Sequence, residues 1–131
     1  MNDFEFTGRI IKEAREAKGW TQLQLADALD VDIRTVRRLE DGTSKHGTEI
    51  FLKCVVTLRL SADICVYAPR NETGLLMHRL YQEMLQLTPE QIEQVYKSAH
   101  HIREWYDQHP EIESGRTIFD TWGNPMKDRK V

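Results

Sequence analysis

"TQLQLADALDVDIRTVRRLEDG", residues 21–42, decides how this chain is read. Thr21 with Gln24 three residues on is a Thr-x-x-Gln capping box, and Leu25, Ala26 and Leu29 give the helix that follows an inner face. "DVD" breaks that pattern, Asp32 is a good N-cap for a next helix over 32–41, and Gly42 suits a left-handed end. At 100° per residue, Arg34, Arg37, Arg38 and Asp41 share an arc about 100° wide. Val36 and Leu39 lie opposite, where they can pack on Leu25, Ala26 and Leu29. The stretch therefore predicts two short capped helices joined by a tight turn, the second presenting arginines outward. Such a face has two readings: charge that merely solvates a surface helix, or guanidinium groups that fork onto guanine O6 and N7 in a major groove.

Around this stretch the chain is mildly acidic. It has 18 Lys and Arg against 21 Asp and Glu among 131 residues, net −3. That excludes a generally basic coat but not a local basic patch, since binding depends on where charge sits. Apolar content of 40% with 30% charged residues is that of a globular domain rather than a disordered chain. No apolar run approaches the roughly 20 residues of a membrane-spanning helix. The start, "MNDFEFTGR", lacks the basic and apolar regions of a secretory signal, so the expected compartment is the cytoplasm. Cys54 and Cys65 belong to no C-x-x-C or Cys/His cluster and read as buried free thiols.

Outward from 21–42, residues 8–68 read as five closely spaced helices. The first has Ile10, Ile11, Ala14 and Ala17 at helical spacing and stops at Gly19. The fourth follows Thr48 and buries Ile50, Phe51, Cys54, Val55 and Leu58. The fifth starts at Ser61 and ends before Pro69. "YAPRNETG" is a connector. These elements divide the chain into an N-terminal domain, 1–68, and a C-terminal region, 69–131.

From Ile10 to Ile64 the sequence resembles the lambda-repressor-like, Xre/Cro type of helix-turn-helix domain. The resemblance is carried by "IIKEAREAKGWTQLQLADALDVDIRTVRRLEDG" and, more loosely, by "FLKCVVTLRLSADI". It implies an all-α, five-helix DNA-binding domain with sequence-specific binding to double-stranded DNA; with the pattern beyond residue 70, the whole chain is expected to be all-α, this domain followed by a helical hairpin. By this resemblance Gln22 donates to a phosphate. Ile33, Arg34, Arg37 and Arg38, with Thr35 nearby, face the bases, Ile33 as an apolar contact. Lys45 and His46 grip phosphate after the third helix, and Glu40 is structural. Two positions depart from the family pattern: Asp30 and Arg59 stand where Gly is customary. Asp27, Asp41 and Glu49 near the DNA face would lower non-specific affinity.

Beyond residue 70, Met77, Leu80, Met84 and Leu87 recur at 3-4-3 spacing. "LTPEQ" then supplies an N-cap (Thr88), a proline at the first helical position and Gln91 to close a capping box. Ile92, Val95, Ala99, Ile102 and Tyr106 follow at 3-4-3-4 spacing. Two such helices make a hairpin over 74–107, with a tail whose Ile118, Phe119 and Trp122 form a small apolar cluster. One hairpin has two apolar stripes but a single internal seam. Met77, Leu80, Met84, Ile92, Val95, Ala99, Ile102 and Tyr106 are thus expected to form a homodimer interface, the rival being packing onto the chain's own N-terminal domain. Met77 and Met84 suit core filling better than a ligand pocket. His100 and Glu104 have i,i+4 spacing, but no further ligands converge on them, so neither metal nor cofactor is expected and the chain does not read as an enzyme. The functional expectation is a dimeric transcriptional repressor. The alternative is an antitoxin-like module whose C-terminal half binds a protein partner while the N-terminal half autoregulates its operon.

Overall fold

The computed structural model describes residues 1–43 and 45–112, all of whose regular elements are α-helices. They are α1 (Asp3–Ala17), α2 (Gln22–Leu29), α3 (Ile33–Asp41), α4 (Thr48–Leu58), α5 (Ala62–Tyr67), α6 (Glu72–Met84) and α7 (Pro89–Asp107). The all-α expectation holds. The apolar cluster of the tail, Ile118, Phe119 and Trp122, lies outside the described residues.

Helix α1 begins at Asp3, well before residue 8, because a local signal starts it there. Asn2 Oδ1 accepts from the Glu5 amide at 2.9 Å, and Glu5 Oε2 accepts from the Asn2 amide at 3.1 Å. The extra turn carries Phe6 into the core beside Ile10, Ile11 and Ala14. Capping boxes at Thr21/Gln24 and Thr88/Gln91 start α2 and α7 as the sequence predicts.

Met1–Gln82 form one compact unit. Its core joins the α1 residues to Leu25, Ala26 and Leu29 of α2, Val36 and Leu39 of α3, Cys54 and Leu58 of α4, and Ile64 and Cys65 of α5. Both cysteines are free thiols, and burial pushes each up to about 11, which keeps them protonated and unreactive near neutrality. Ile50, Phe51 and Val55 are only half-buried.

Helix α6 opens inside this unit. Gly74, Leu75 and His78 are buried, and a Cβ on Gly74 would strike the Pro69 carbonyl oxygen and crowd the Phe6 ring. Arg79 donates to Glu13 through Nη2 at 2.7 Å and Nε at 3.3 Å, and Gln82 Nε2 reaches the Arg59 carbonyl at 3.3 Å. Glu83–Val131 form the second unit, in which α7 buries no residue.

Candidate nucleic-acid interface

The turn between α2 and α3 is closed by Asp30, the C-cap of α2, in the left-handed conformation (φ 55°, ψ 50°). The amide of Val31 then bonds to the carbonyl of Ala26 at 3.0 Å, the wrap that ends a helix abruptly. Asp tolerates this conformation better than most residues, which explains how the turn forms without Gly. Asp32 immediately caps α3, accepting from the Arg34 amide at 2.8 Å. Gly42 ends α3 with φ 68° and lies so close to α1 that a Cβ there would sit 2.7 Å from Glu5 Cα.

Beneath α3 lies an ion pair. Arg15 of α1 donates to Glu40 through Nε at 2.6 Å and Nη2 at 3.0 Å, while its Nη1 bonds the Trp20 carbonyl at 2.7 Å. The bond to Glu40 holds the Arg15 guanidinium above its ordinary pKa against the opposing effect of burial. Gln22 Nε2 donates to Glu40 Oε1 at 3.1 Å. One carboxylate therefore fastens α1, α2 and α3 together, in keeping with the structural role read for Glu40. Arg15 and Gly8 are the parts that sequence reading missed. Arg15 stood at i+4 from Ile11 on the inner face of α1, a signal that was available. Gly8 gave none. A Cβ there would strike the Leu39 carbonyl oxygen and approach that of Glu40 at 2.7 Å, so α1 and α3 meet backbone to backbone.

Of the residues expected at the DNA face, Arg34, Arg37 and Arg38 are exposed on α3, and Ile33 and Thr35 are half-buried at its start. Arg37 and Arg38 form no ion pair among the described residues, whereas Arg34 is paired with Asp32. Lys45 is exposed in the following loop. His46 lies lower, its ring edge-on to Phe4 at 5.1 Å and stacked on Phe51 at 5.9 Å, with Nε2 buried and unbonded. Because Glu40 is neutralised from inside by Arg15, its charge does not subtract from the outer face. On that side Arg34, Arg37 and Arg38 outnumber Asp32 and Asp41, a small positive surplus in a chain of net −3.

The residues expected at a dimer interface fall in both units, and none of them is fully buried. Met77, Met84 and Val95 are half-buried, and Leu80, Ile92, Ala99, Ile102 and Tyr106 are exposed, Ile102 by 57%. His100 pairs with Glu104 at 3.1 Å, and no group of three or more His, Cys, Asp or Glu among the described residues is arranged to hold a metal ion. None of the described helices is long and apolar enough to cross a membrane.

Two capped helices around a left-handed turn, the second held from below and bearing arginines above, define a helix-turn-helix DNA-binding domain. Residues 11–64 match the helix-turn-helix family model, and this segment belongs to the lambda-repressor-like (Xre) type, a domain of transcription regulators. No curated protein and no solved structure matches the chain significantly.

Proposed function

We propose that the protein is a cytoplasmic transcriptional repressor that inserts α3 into the major groove of a specific operator and binds as a two-fold dimer. The observation that carries this reading is the exposure of Arg37 and Arg38, unpaired among the described residues, on a helix fixed by the buried Arg15–Glu40 pair. Rigid support is what base readout needs, since a recognition group must reach its base edge repeatedly in one geometry. Arg34, Arg37 and Arg38 face base edges, and Ile33 and Thr35 make apolar or close-range contacts beside them. Gln22 uses one amide hydrogen on Glu40 and offers the other to a phosphate. Lys45 reaches the backbone from the loop that His46 anchors between Phe4 and Phe51.

One such helix contacts too few bases for useful specificity, and two copies on half-sites roughly one turn (~34 Å) apart remedy this. Met77 and Leu80, and beyond them Met84, Ile92, Val95, Ala99, Ile102 and Tyr106, are the residues we assign to contact with the second copy, since none of them is fully buried.

The test is selection from random double-stranded DNA, followed by binding measurements on the recovered site. Arg38→Ala should cost about 1–3 kcal/mol on that site and relax preference at one position per half-site. Lys45→Ala should weaken all sequences alike and flatten the salt dependence. Leu80→Asp or Ile102→Asp, with helices intact by circular dichroism, should halve the mass seen by light scattering and weaken operator binding. Wild-type protein that binds its site as a single copy removes the dimer, and arginine variants with unchanged specificity remove the groove reading.

A further inference from the structure

Arg34 differs from its neighbours on α3 in being held. Its Nε donates to Asp32 Oδ1 at 3.1 Å and its Nη2 to Asp32 Oδ2 at 3.4 Å. Both side chains are exposed, Arg34 by 76% and Asp32 by 54%, but the carboxylate is oriented because Oδ1 also caps the helix by accepting the Arg34 amide at 2.8 Å. The contact takes the side-on edge of the guanidinium, Nε and Nη2. The end-on edge, Nη1 and the second hydrogen of Nη2, points away from Asp32 and has no partner among the described residues. Guanine offers two acceptors, O6 and N7, that fit this edge, whereas adenine places a donor beside N7 and neither pyrimidine offers such an acceptor pair.

We infer that Asp32 is a specificity-determining residue: it locks Arg34 side-on so that the end-on edge reads one guanine in each half-site. The inference rests on the reading that α3 enters the major groove. Pairing also makes the Asp32–Arg34 unit nearly neutral, which suits a base edge and suits a phosphate poorly. Asp32 thereby lowers non-specific affinity while it sharpens readout. Arg37 and Arg38, which have no such partner among the described residues, can follow either backbone or base.

These two effects have opposite signs, and that makes the inference testable. Wild type, Asp32→Asn and Arg34→Ala are each subjected to selection from random DNA, then titrated against the best site, the same site with guanine replaced by adenine, and an unrelated duplex. Asparagine caps helices about as well as aspartate, so α3 is retained, and circular dichroism checks it. In wild type one guanine per half-site should be preferred over adenine by roughly 10–100-fold, the range of a bidentate contact. Arg34→Ala should abolish that preference. Asp32→Asn should reduce it at least about fivefold at the same position, while binding to the unrelated duplex rises about two- to fivefold at low salt, as one anionic charge leaves the face. Undiminished guanine preference in Asp32→Asn, or a reader position that prefers another base, overturns the role of Asp32 alone. A wild-type protein that selects no sequence overturns the groove reading and this inference with it.

Discussion

Replacing Glu40 by alanine should be among the most damaging single changes in the DNA-binding unit. Its side chain is 2% exposed and that of Arg15 10%, so neither charge is screened by much water. Three hydrogen bonds arrive on the carboxylate, two from Arg15 and one from Gln22. Without it the guanidinium, which cannot shed its proton, keeps the Trp20 carbonyl and, at 3.7 Å, the exposed Glu16 carboxylate, neither of which replaces the buried pair. Leaving a buried charge unpaired costs about 3–5 kcal/mol. Two charge-assisted bonds at about 1.5–3 kcal/mol each give about 3–6 kcal/mol, which overlaps that range. An exposed pair such as Lys97–Glu93 is worth about 0–1 kcal/mol. Glu40→Gln should cost less than Glu40→Ala, since an acceptor remains. Arg15→Leu with Glu40→Leu should cost clearly less than the sum of the single changes, because no charge is stranded. Urea unfolding followed by Trp20 fluorescence, in a Trp105→Phe, Trp122→Phe background, measures this. With a slope of about 1.5 kcal/mol per M, the midpoint for Glu40→Ala should fall by about 2–3 M. Single changes costing under about 1 kcal/mol, or an additive double variant, would refute the reasoning.

Gly8→Ala should destabilise the same unit by about 3 kcal/mol, because the clash is with backbone carbonyls that cannot swing aside; thermal unfolding reads this directly. Arg59→Gly should stabilise it by about 0.5–1 kcal/mol, since Arg59 holds φ 53° and the relief of that conformation exceeds the entropy glycine adds to the unfolded chain. Burial holds His78 below its ordinary pKa, so the unfolded state takes up the proton more readily. Its contribution is complete above about pH 6.5 and is lost as pH falls below that value, by at most about 1.4 kcal/mol per unit. Denaturant titrations at stepped pH should show this slope in wild type and a shallower one in His78→Leu.

How far the sequence reaches depends on the range of the interactions involved. Capping boxes, turn residues and apolar periodicity act within a few positions, so α2, the turn, α3 and the start of α7 were legible from 21–42 and "LTPEQ" alone. The arc holding Arg34, Arg37 and Arg38 follows from helix geometry, and the left-handed turn at Asp30 from an Asp standing where Gly is customary, whereas Arg59, a poor residue for that conformation, left the end of α4 open until the structure placed it at φ 53°. Local signals also begin α1 at Asp3, through an Asn2–Glu5 box that lies in plain sight before residue 8. Other features join residues far apart in the chain, and no periodicity encodes them. Gly8 matters only because the carbonyls of Leu39 and Glu40 come to rest on it. Arg15 finds its purpose 25 positions away. Gly74 belongs with the first unit because Phe6 lies against it, although the connector before it reads as a boundary. His46 occupies a phosphate-gripping position in the sequence, yet Phe4 and Phe51 together draw its ring inward. Side-chain chemistry and spacing thus determined which face could read DNA, and long-range packing decided what holds that face still.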